Sequence, residues 1–289
     1  MARTETGSST LEPELYMDIT EADWLSAAAV ELSILQVSLP IDSAGGQQFL
    51  DLGCGTGIVT RDVLLPRCPP FRRIVAVDAS RDMVEYAMRH FAHVKICYDV
   101  LDIVADDVSG FVERYGQFDR VYSQFCLNWI RDQAKALKNV TKLMKPGGVA
   151  LFRFYASTPL MRFRRKLAGM ERWKKYAKIC EDCIPPSLDH IGREALISYM
   201  LGLLKNAGLT PSICDVKTDR DSFYTNPGRV IQDLQTLNPL RAYLTREELP
   251  LLLEDATKEG IRLWADREAG GSLLDFQVFV LRAFKPGPK

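Results

Sequence analysis

The sequence predicts an α/β fold: a doubly wound, seven-stranded sheet carrying helical cap insertions. Three observations lead there. From Gln48 onward short β-like runs alternate with amphipathic stretches, a glycine-rich loop follows the first run, and the alternation breaks twice for irregular, helix-like segments. Strands separated by crossover helices pair in parallel, with right-handed connections. A length of 289 residues suits one large domain, or one domain with inserts.

Residues 1–14 are small and polar and are expected to be disordered, leaving 15–289 as a single domain. Trp24 to Val37 places Trp24, Leu25, Ala28, Leu32 and Leu35 at three-to-four spacing, a helix that Pro40 and Gly45-Gly46 end. Gln48 to Leu52 is the first strand, and Ile58 to Leu65 is the helical stretch beyond its glycine loop. Arg73 to Val77 is a buried strand stopping at Asp78, followed by a helix from Asp82 to Phe91 with Ser80 as its cap. Val94 to Tyr98 is the third strand, Ile103 to Tyr115 a loop and helix, and Phe118 to Ser123 the fourth strand. A helix from Arg131 to Met144 stops before Pro146-Gly147-Gly148, and Val149 to Phe154 is the fifth strand. The first cap insertion, about residues 159–190, is basic and aromatic. Arg193 to Asn206 is a sheet-packing helix stopped by Gly208, and Ser212 to Phe223 is the sixth strand. A second insertion covers about residues 227–262, and Leu273 to Phe284 is the last strand.

Thirty-seven Lys and Arg balance thirty-seven Asp and Glu, so no net field favours a polyanion, and a nucleic-acid partner is not expected. The N-terminus has no apolar core of a signal peptide, and no run reaches the ~20 apolar residues of a membrane helix. A cytoplasmic protein without a membrane span is the expectation. Seven cysteines, an odd number, are then expected as thiols. Cys180 and Cys183 have CxxC spacing but no second pair and no nearby histidine, so no metal is expected.

The loop reads Phe49-Leu-Asp51-Leu-Gly53-Cys54-Gly55-Thr-Gly57, between a strand and a helix. Glycines there permit positive φ and close approach of a ligand to the backbone. In the dinucleotide fingerprint G-x-G-x-x-G the third glycine would fall at Ile58, which disfavours NAD. Asp51 stands where an acid can accept hydrogen bonds from an ammonium group, and Asp78, closing the second strand, where a carboxylate can grip vicinal ribose hydroxyls. Asp102 after the third strand can accept from an adenine amine, with the Ile103 N–H serving a ring nitrogen. An amino acid, a ribose and an adenine in that order describe S-adenosylmethionine. The candidate cofactor contacts are Asp51, Gly53, Cys54, Gly55, Gly57, Asp78, Ala79, Met83, Asp102, Ile103 and Ser123.

On the motifs DLGCGTG, VDAS, LDI and KPGG the chain resembles the class I S-adenosylmethionine-dependent methyltransferases, over roughly Phe49 to Phe154 and the terminal strand. That resemblance implies a Rossmann-like, mostly parallel sheet whose seventh strand is antiparallel between the fifth and sixth. The stretch Cys126-Leu-Asn128-Trp129-Ile-Arg-Asp132-Gln133 is similar to the LHWxxDQ region of arthropod juvenile hormone acid O-methyltransferases. Leu15-Tyr16, Thr158-Pro159 and Asn238-Pro239 extend the likeness. In that family a tryptophan N–H and an N-terminal glutamine hold the substrate carboxylate. Trp129 matches the tryptophan, Asn128 replaces the histidine before it, and acids such as Asp23 stand where the glutamine is expected.

The resemblance implies methyl transfer to a small hydrophobic acceptor, the carboxylate of an isoprenoid or fatty acid. A carboxylate is already ionised near neutrality, so no acid or base is needed; Trp129, Asn128 and Gln124 are the candidate acceptor-positioning residues. Met161, Phe163, Met170, Trp173, Tyr176 and Leu237 are candidate linings of an apolar acceptor pocket, with Arg162 to Lys166 at its rim; a solvated helix is the alternative for this stretch. A non-catalytic S-adenosylmethionine-binding module, and a methyltransferase for a different small molecule, stay open.

Overall fold

In the computed structural model the seven strands are β1 (Gln48–Leu52), β2 (Arg73–Asp78), β3 (Ile96–Val100), β4 (Phe118–Gln124), β5 (Met144–Ser157), β6 (Thr210–Asp219) and β7 (Phe276–Phe284). They form one sheet ordered β3-β2-β1-β4-β5-β7-β6. The first five strands pair in parallel; β7 is antiparallel to both β5 and β6. The structure describes residues 11–19, 22–37, 39, 45–219 and 224–287. Residues 1–10, Pro40 and residues 220–223, on which the expected disordered N-terminus, the stop after the first long helix and the end of the sixth strand fall, lie outside the described residues. The expected disorder through residue 14 gives way at Pro13, where α1 (Pro13–Ile19) begins.

Side chains of the central strands alternate between two hydrophobic cores, as a period of two requires. Phe49, Ile74, Ala76 and Tyr122 pack on one face with Leu32 and Leu35 of α2 (Ala22–Gln36). Leu50, Leu52, Val75 and Val77 pack on the other, against α4 (Val108–Tyr115), α5 (Gln133–Leu143) and α8 (Arg193–Asn206). Both faces are covered, which explains why every residue of β1 is buried and why Ile74 to Val77 of β2 read as a continuous apolar run. Arg153 of β5 pairs with Glu31 of α2, a buried link from helix to sheet.

The two insertions fold together. Phe163 and Leu167 of α6 (Pro159–Ala168), Trp173, and Cys180 of α7 (Ala177–Asp182) share a third core with Val230 and Leu234 of α9 (Pro227–Thr236) and Leu252 and Ala256 of α10 (Leu249–Glu268). Phe276 and Val278 at the start of β7 form its floor. The Trp173 indole donates to Asp255 at 2.8 Å.

Local differences from the expected elements have local causes. The third strand starts two residues late because Val94, 98 % exposed, sits in a turn closed by the Ile96 N–H on the His93 carbonyl. Beyond the glycine loop the chain forms a π-helical turn at Val59–Leu64 and a 3₁₀ turn containing Pro66, rather than a regular helix. Ser80 caps α3 (Arg81–His90) as expected, accepting from the Met83 N–H.

Candidate functional site

Strand order reverses between β1 and β4, and a crevice forms beyond the carboxyl ends of the strands at such a switch point. A cavity of about 230 Å³ lies there. Its walls come from the loops after β1, β2, β3 and β4, with Leu11 and Tyr16 from the N-terminal segment and Asp182 and Cys183 from the first insertion. Burial pushes the Tyr16 phenol up to about 12, so it is neutral.

One end of the cavity is acidic. Asp51, 3 % exposed, accepts the Thr60 hydroxyl at 2.6 Å. Burial pushes its carboxyl up to about 6, against the Thr60 hydrogen bond and with help from the neighbouring Asp78 charge. Asp78 accepts the Gly55 N–H and the Ser80 N–H, each at 2.9 Å; burial raises its carboxyl too, against those backbone donors. One oxygen of Asp102 takes the Val104 and Ala105 N–H groups, which fixes the loop after β3. All three acids line the cavity.

The glycines have distinct duties. A Cβ on Gly53 would overlap the Cys126 side chain, and one on Gly57 would meet the Tyr98 hydroxyl at 2.8 Å and Ala87 Cβ at 2.9 Å, so both keep the loop packed on its neighbours. Gly55 has φ +53° and nothing within 4 Å of where a Cβ would stand, which leaves the loop backbone open to the cavity. A pyrophosphate needs loop N–H groups free to receive it. Here Asp78 already occupies the Gly55 N–H, and three carboxylates repel a polyanion. A cationic ligand whose ammonium group and ribose hydroxyls donate hydrogen bonds fits these carboxylate acceptors.

The other end, beyond β4, is less polar. Phe125 adopts φ +57°, an uncommon state for a large side chain, and it lines the cavity together with Gln124 and Cys126. Both polar atoms of the Gln124 amide are buried without a hydrogen-bond partner among the described residues. Asn128 is buried beside the cavity rather than on its wall. With its amide oriented to satisfy both ends, it donates to the Phe125 carbonyl at 2.9 Å and accepts the Trp129 indole N–H at 3.0 Å. Trp129 therefore presents its ring to the cavity while its N–H is engaged. Burial raises the Cys54 and Cys126 thiols, so neither is a nucleophile at neutral pH.

Of the expected cofactor contacts, Asp51, Gly53, Cys54, Gly55, Asp78, Ala79, Met83, Asp102 and Ile103 line this cavity, as do Gln124 and Trp129. Gly57 and Ser123 do not; Ser123 is buried and donates to the Leu52 carbonyl at 2.9 Å, tying β4 to β1. The side chain of Asp23 lies outside the described residues. Met161, Phe163, Met170, Trp173, Tyr176 and Leu237 are absent from the cavity wall, and most fill the core of the cap. Tyr16, Cys126 and the Asp182-Cys183 step are wall residues that sequence reasoning did not assign to a site. The Leu15-Tyr16 likeness and the stretch starting at Cys126 pointed toward two of them.

The fold, with its cavity at the topological switch point, is a Rossmann-like α/β arrangement. Residues 50–152 match the family model described as a methyltransferase domain. Over 146 residues the chain is 34 % identical to juvenile hormone acid O-methyltransferase of Bombyx mori, covering 50 % of this chain and 51 % of that protein. The counterpart of the same name in Drosophila melanogaster is also 34 % identical, with 50 % of this chain and 48 % of that protein covered. The chain thus aligns with about half the length of the curated relatives it matches. Among solved structures, phosphoethanolamine N-methyltransferase 2 of Haemonchus contortus in complex with S-adenosylmethionine superposes with a TM-score of 0.56 at 18 % identity, covering 96 % of this chain and 57 % of that one. The [4+2]-cyclase SpnF gives 0.54, also at 18 %, covering 93 % and 84 %. Such identities show the fold alone, and a cyclase among the neighbours underlines that function must be argued from the site.

Proposed function

We propose that the chain binds S-adenosylmethionine in the cavity after β1–β4 and transfers its methyl group to a small hydrophobic acceptor, the carboxylate of an isoprenoid or fatty acid. The observation that carries this reading is the clustering of Asp51, Asp78 and Asp102 at one end of the cavity, away from Gln124 and Trp129, where the one acid on the wall, Asp182, is paired with Lys178 at 2.5 Å. When bound, S-adenosylmethionine supplies an electrophilic methyl carbon on a sulfonium. Asp51 faces the ammonium, Asp78 the ribose hydroxyls and Asp102 the adenine amine, the roles implied by their strand-end positions. The unpartnered Gln124 amide offers a donor to a carboxylate oxygen, and the Trp129 ring offers an apolar wall. No general base is required, because the acceptor arrives ionised and the protein's task is alignment.

The relatives from Bombyx and Drosophila, and a malonyl-[acyl-carrier protein] O-methyltransferase of Acetivibrio thermocellus that is 30 % identical over 148 residues, carry names that denote O-methyl transfer. They support a carboxyl oxygen as acceptor. A second reading, a module that binds the cofactor without turnover, is favoured by the engagement of the Trp129 N–H with Asn128. Incubation with methyl-labelled S-adenosylmethionine and a panel of hydrophobic acids, phenols and amines separates the readings. Labelled methyl esters are expected; label on amines or phenols alone contradicts the carboxylate, and no turnover by protein that binds the cofactor favours the second reading.

A further inference from the structure

Four cations crowd α6, and three have their partners. Arg165 pairs with Asp189 and Lys166 with Glu259, each at 2.5 Å. Arg162 donates to the Ser157 hydroxyl at 2.6 Å and to the Leu273 and Asp275 carbonyls at 2.7 and 3.1 Å, beside the Asp275 carboxylate.

Arg164 differs. It is 2 % exposed, and among the described residues no carboxylate pairs with it. Its guanidinium donates to the Cys183 carbonyl at 3.1 Å and the Leu237 carbonyl at 2.9 Å, the residues that close α7 and α9. It stacks over the Trp129 ring at 4.3 Å, and its Nε is buried without an acceptor. Carbonyl oxygens and an aromatic face ease the burial of a guanidinium, but they leave its unit charge in place. The titratable groups against Arg164 are the Cys180 and Cys183 thiols, whose burial keeps them protonated and uncharged at neutral pH. Trp129 and Cys183, its two contacts nearest the site, are both cavity wall. Arg164 therefore stands directly behind this end of the cavity with no carboxylate paired to it among the described residues, while Asp182, the acid on the same wall, is taken by Lys178 at 2.5 Å.

We propose that Arg164 is the residue that makes this end of the cavity select an anion: it braces the Trp129 ring and imposes a positive field through the wall, so that a carboxylate is preferred over a neutral analogue of the same chain length. The inference rests on the methyltransferase reading and deepens it. Arg164 is a positioning residue, acting through Trp129 and at a distance, and it does not touch the acceptor. In a poorly solvated site such a field is weakly screened and acts on the acceptor's charge rather than on its apolar tail.

The test titrates decanoate and decanamide into the full chain saturated with S-adenosylhomocysteine, for wild type, Arg164→Lys and Arg164→Gln. Wild type is expected to bind decanoate at least about tenfold more tightly than decanamide. Arg164→Lys keeps most of that ratio, and Arg164→Gln brings it within about twofold of one, while affinity for S-adenosylhomocysteine stays within about twofold of wild type in both. A structural role alone would weaken both probes together and leave the ratio intact, which overturns the proposal. A wild-type ratio near one, or no binding of either probe by cofactor-loaded protein, overturns it as well, even if Arg164→Gln does not fold. Failure of wild type to bind S-adenosylhomocysteine sinks the methyltransferase reading instead.

Discussion

Asp51 is held in a condition that suits a ligand better than it suits the unliganded fold. Its carboxyl sits at about 6, against an ordinary value of 3.8, because burial penalises the charged form. A raised carboxyl contributes stability that is complete below about pH 4 and lost as pH rises through about 6. At neutral pH the unliganded protein thus carries a cost of order 1–3 kcal/mol at this one group. Asp51→Asn is expected to raise the unfolding free energy of the unliganded protein at pH 7.5 by up to that amount, read by urea titration, and to weaken S-adenosylmethionine at least about tenfold. An ammonium ligand favours the ionised form, so wild-type affinity should climb between pH 5 and 7, and the climb should vanish in Asp51→Asn. A flat wild-type profile contradicts the assignment.

The elements that hold the site respond to substitution according to what they touch. Gly57→Ala puts a methyl group against Tyr98 and Ala87 at a backbone φ of +86°, and a loss of about 2–4 kcal/mol in stability is expected from overlap and strain together. Gly55→Ala meets open space at φ +53°, so it should cost only about 1 kcal/mol in stability while narrowing the ligand's approach to the loop. Calorimetric binding beside urea unfolding separates the two, with stability dominating at 57 and affinity at 55. In the cap, Trp173→Ala removes a fully buried indole and leaves Asp255 without that donor; a loss of about 3–5 kcal/mol is expected in the same unfolding assay.

These elements also mark where sequence reasoning reaches its limit. Strand ends with acids, such as Asp51 in β1 and Asp78 in β2, were legible because burial on both faces leaves a period that stops where the sheet stops. Ser123 looked like a site residue on position alone, but its hydroxyl is used between strands, a pairing that only the register reveals. For the cap aromatics, expected to line an acceptor pocket, the sequence did not show their packing partners: Phe163 and Trp173 lie in the cap's own core with Asp255 and Leu252, some 80 residues away in the chain.

At the scale of the whole molecule, the balance of thirty-seven basic and thirty-seven acidic side chains describes two different arrangements. In the cap, basic residues are matched locally: Arg165 with Asp189, Lys166 with Glu259, Arg172 with Asp255 and Lys175 with Glu248. The basic insertion is thus not a rim of free cations. In the cavity Asp51, Asp78 and Asp102 cluster at one end, and at the other Arg164 stands behind the wall while Asp182 is paired with Lys178. Among the described residues no helix is long and apolar enough to cross a membrane.

The most direct test is a calorimetric titration of S-adenosylmethionine into wild type and Asp78→Ala, with folding of each checked by circular dichroism. One molecule bound per wild-type chain, weakened at least about tenfold by Asp78→Ala, is the predicted result. Well-folded wild type that takes up no S-adenosylmethionine, or Asp78→Ala that binds it as tightly as wild type, would contradict the account.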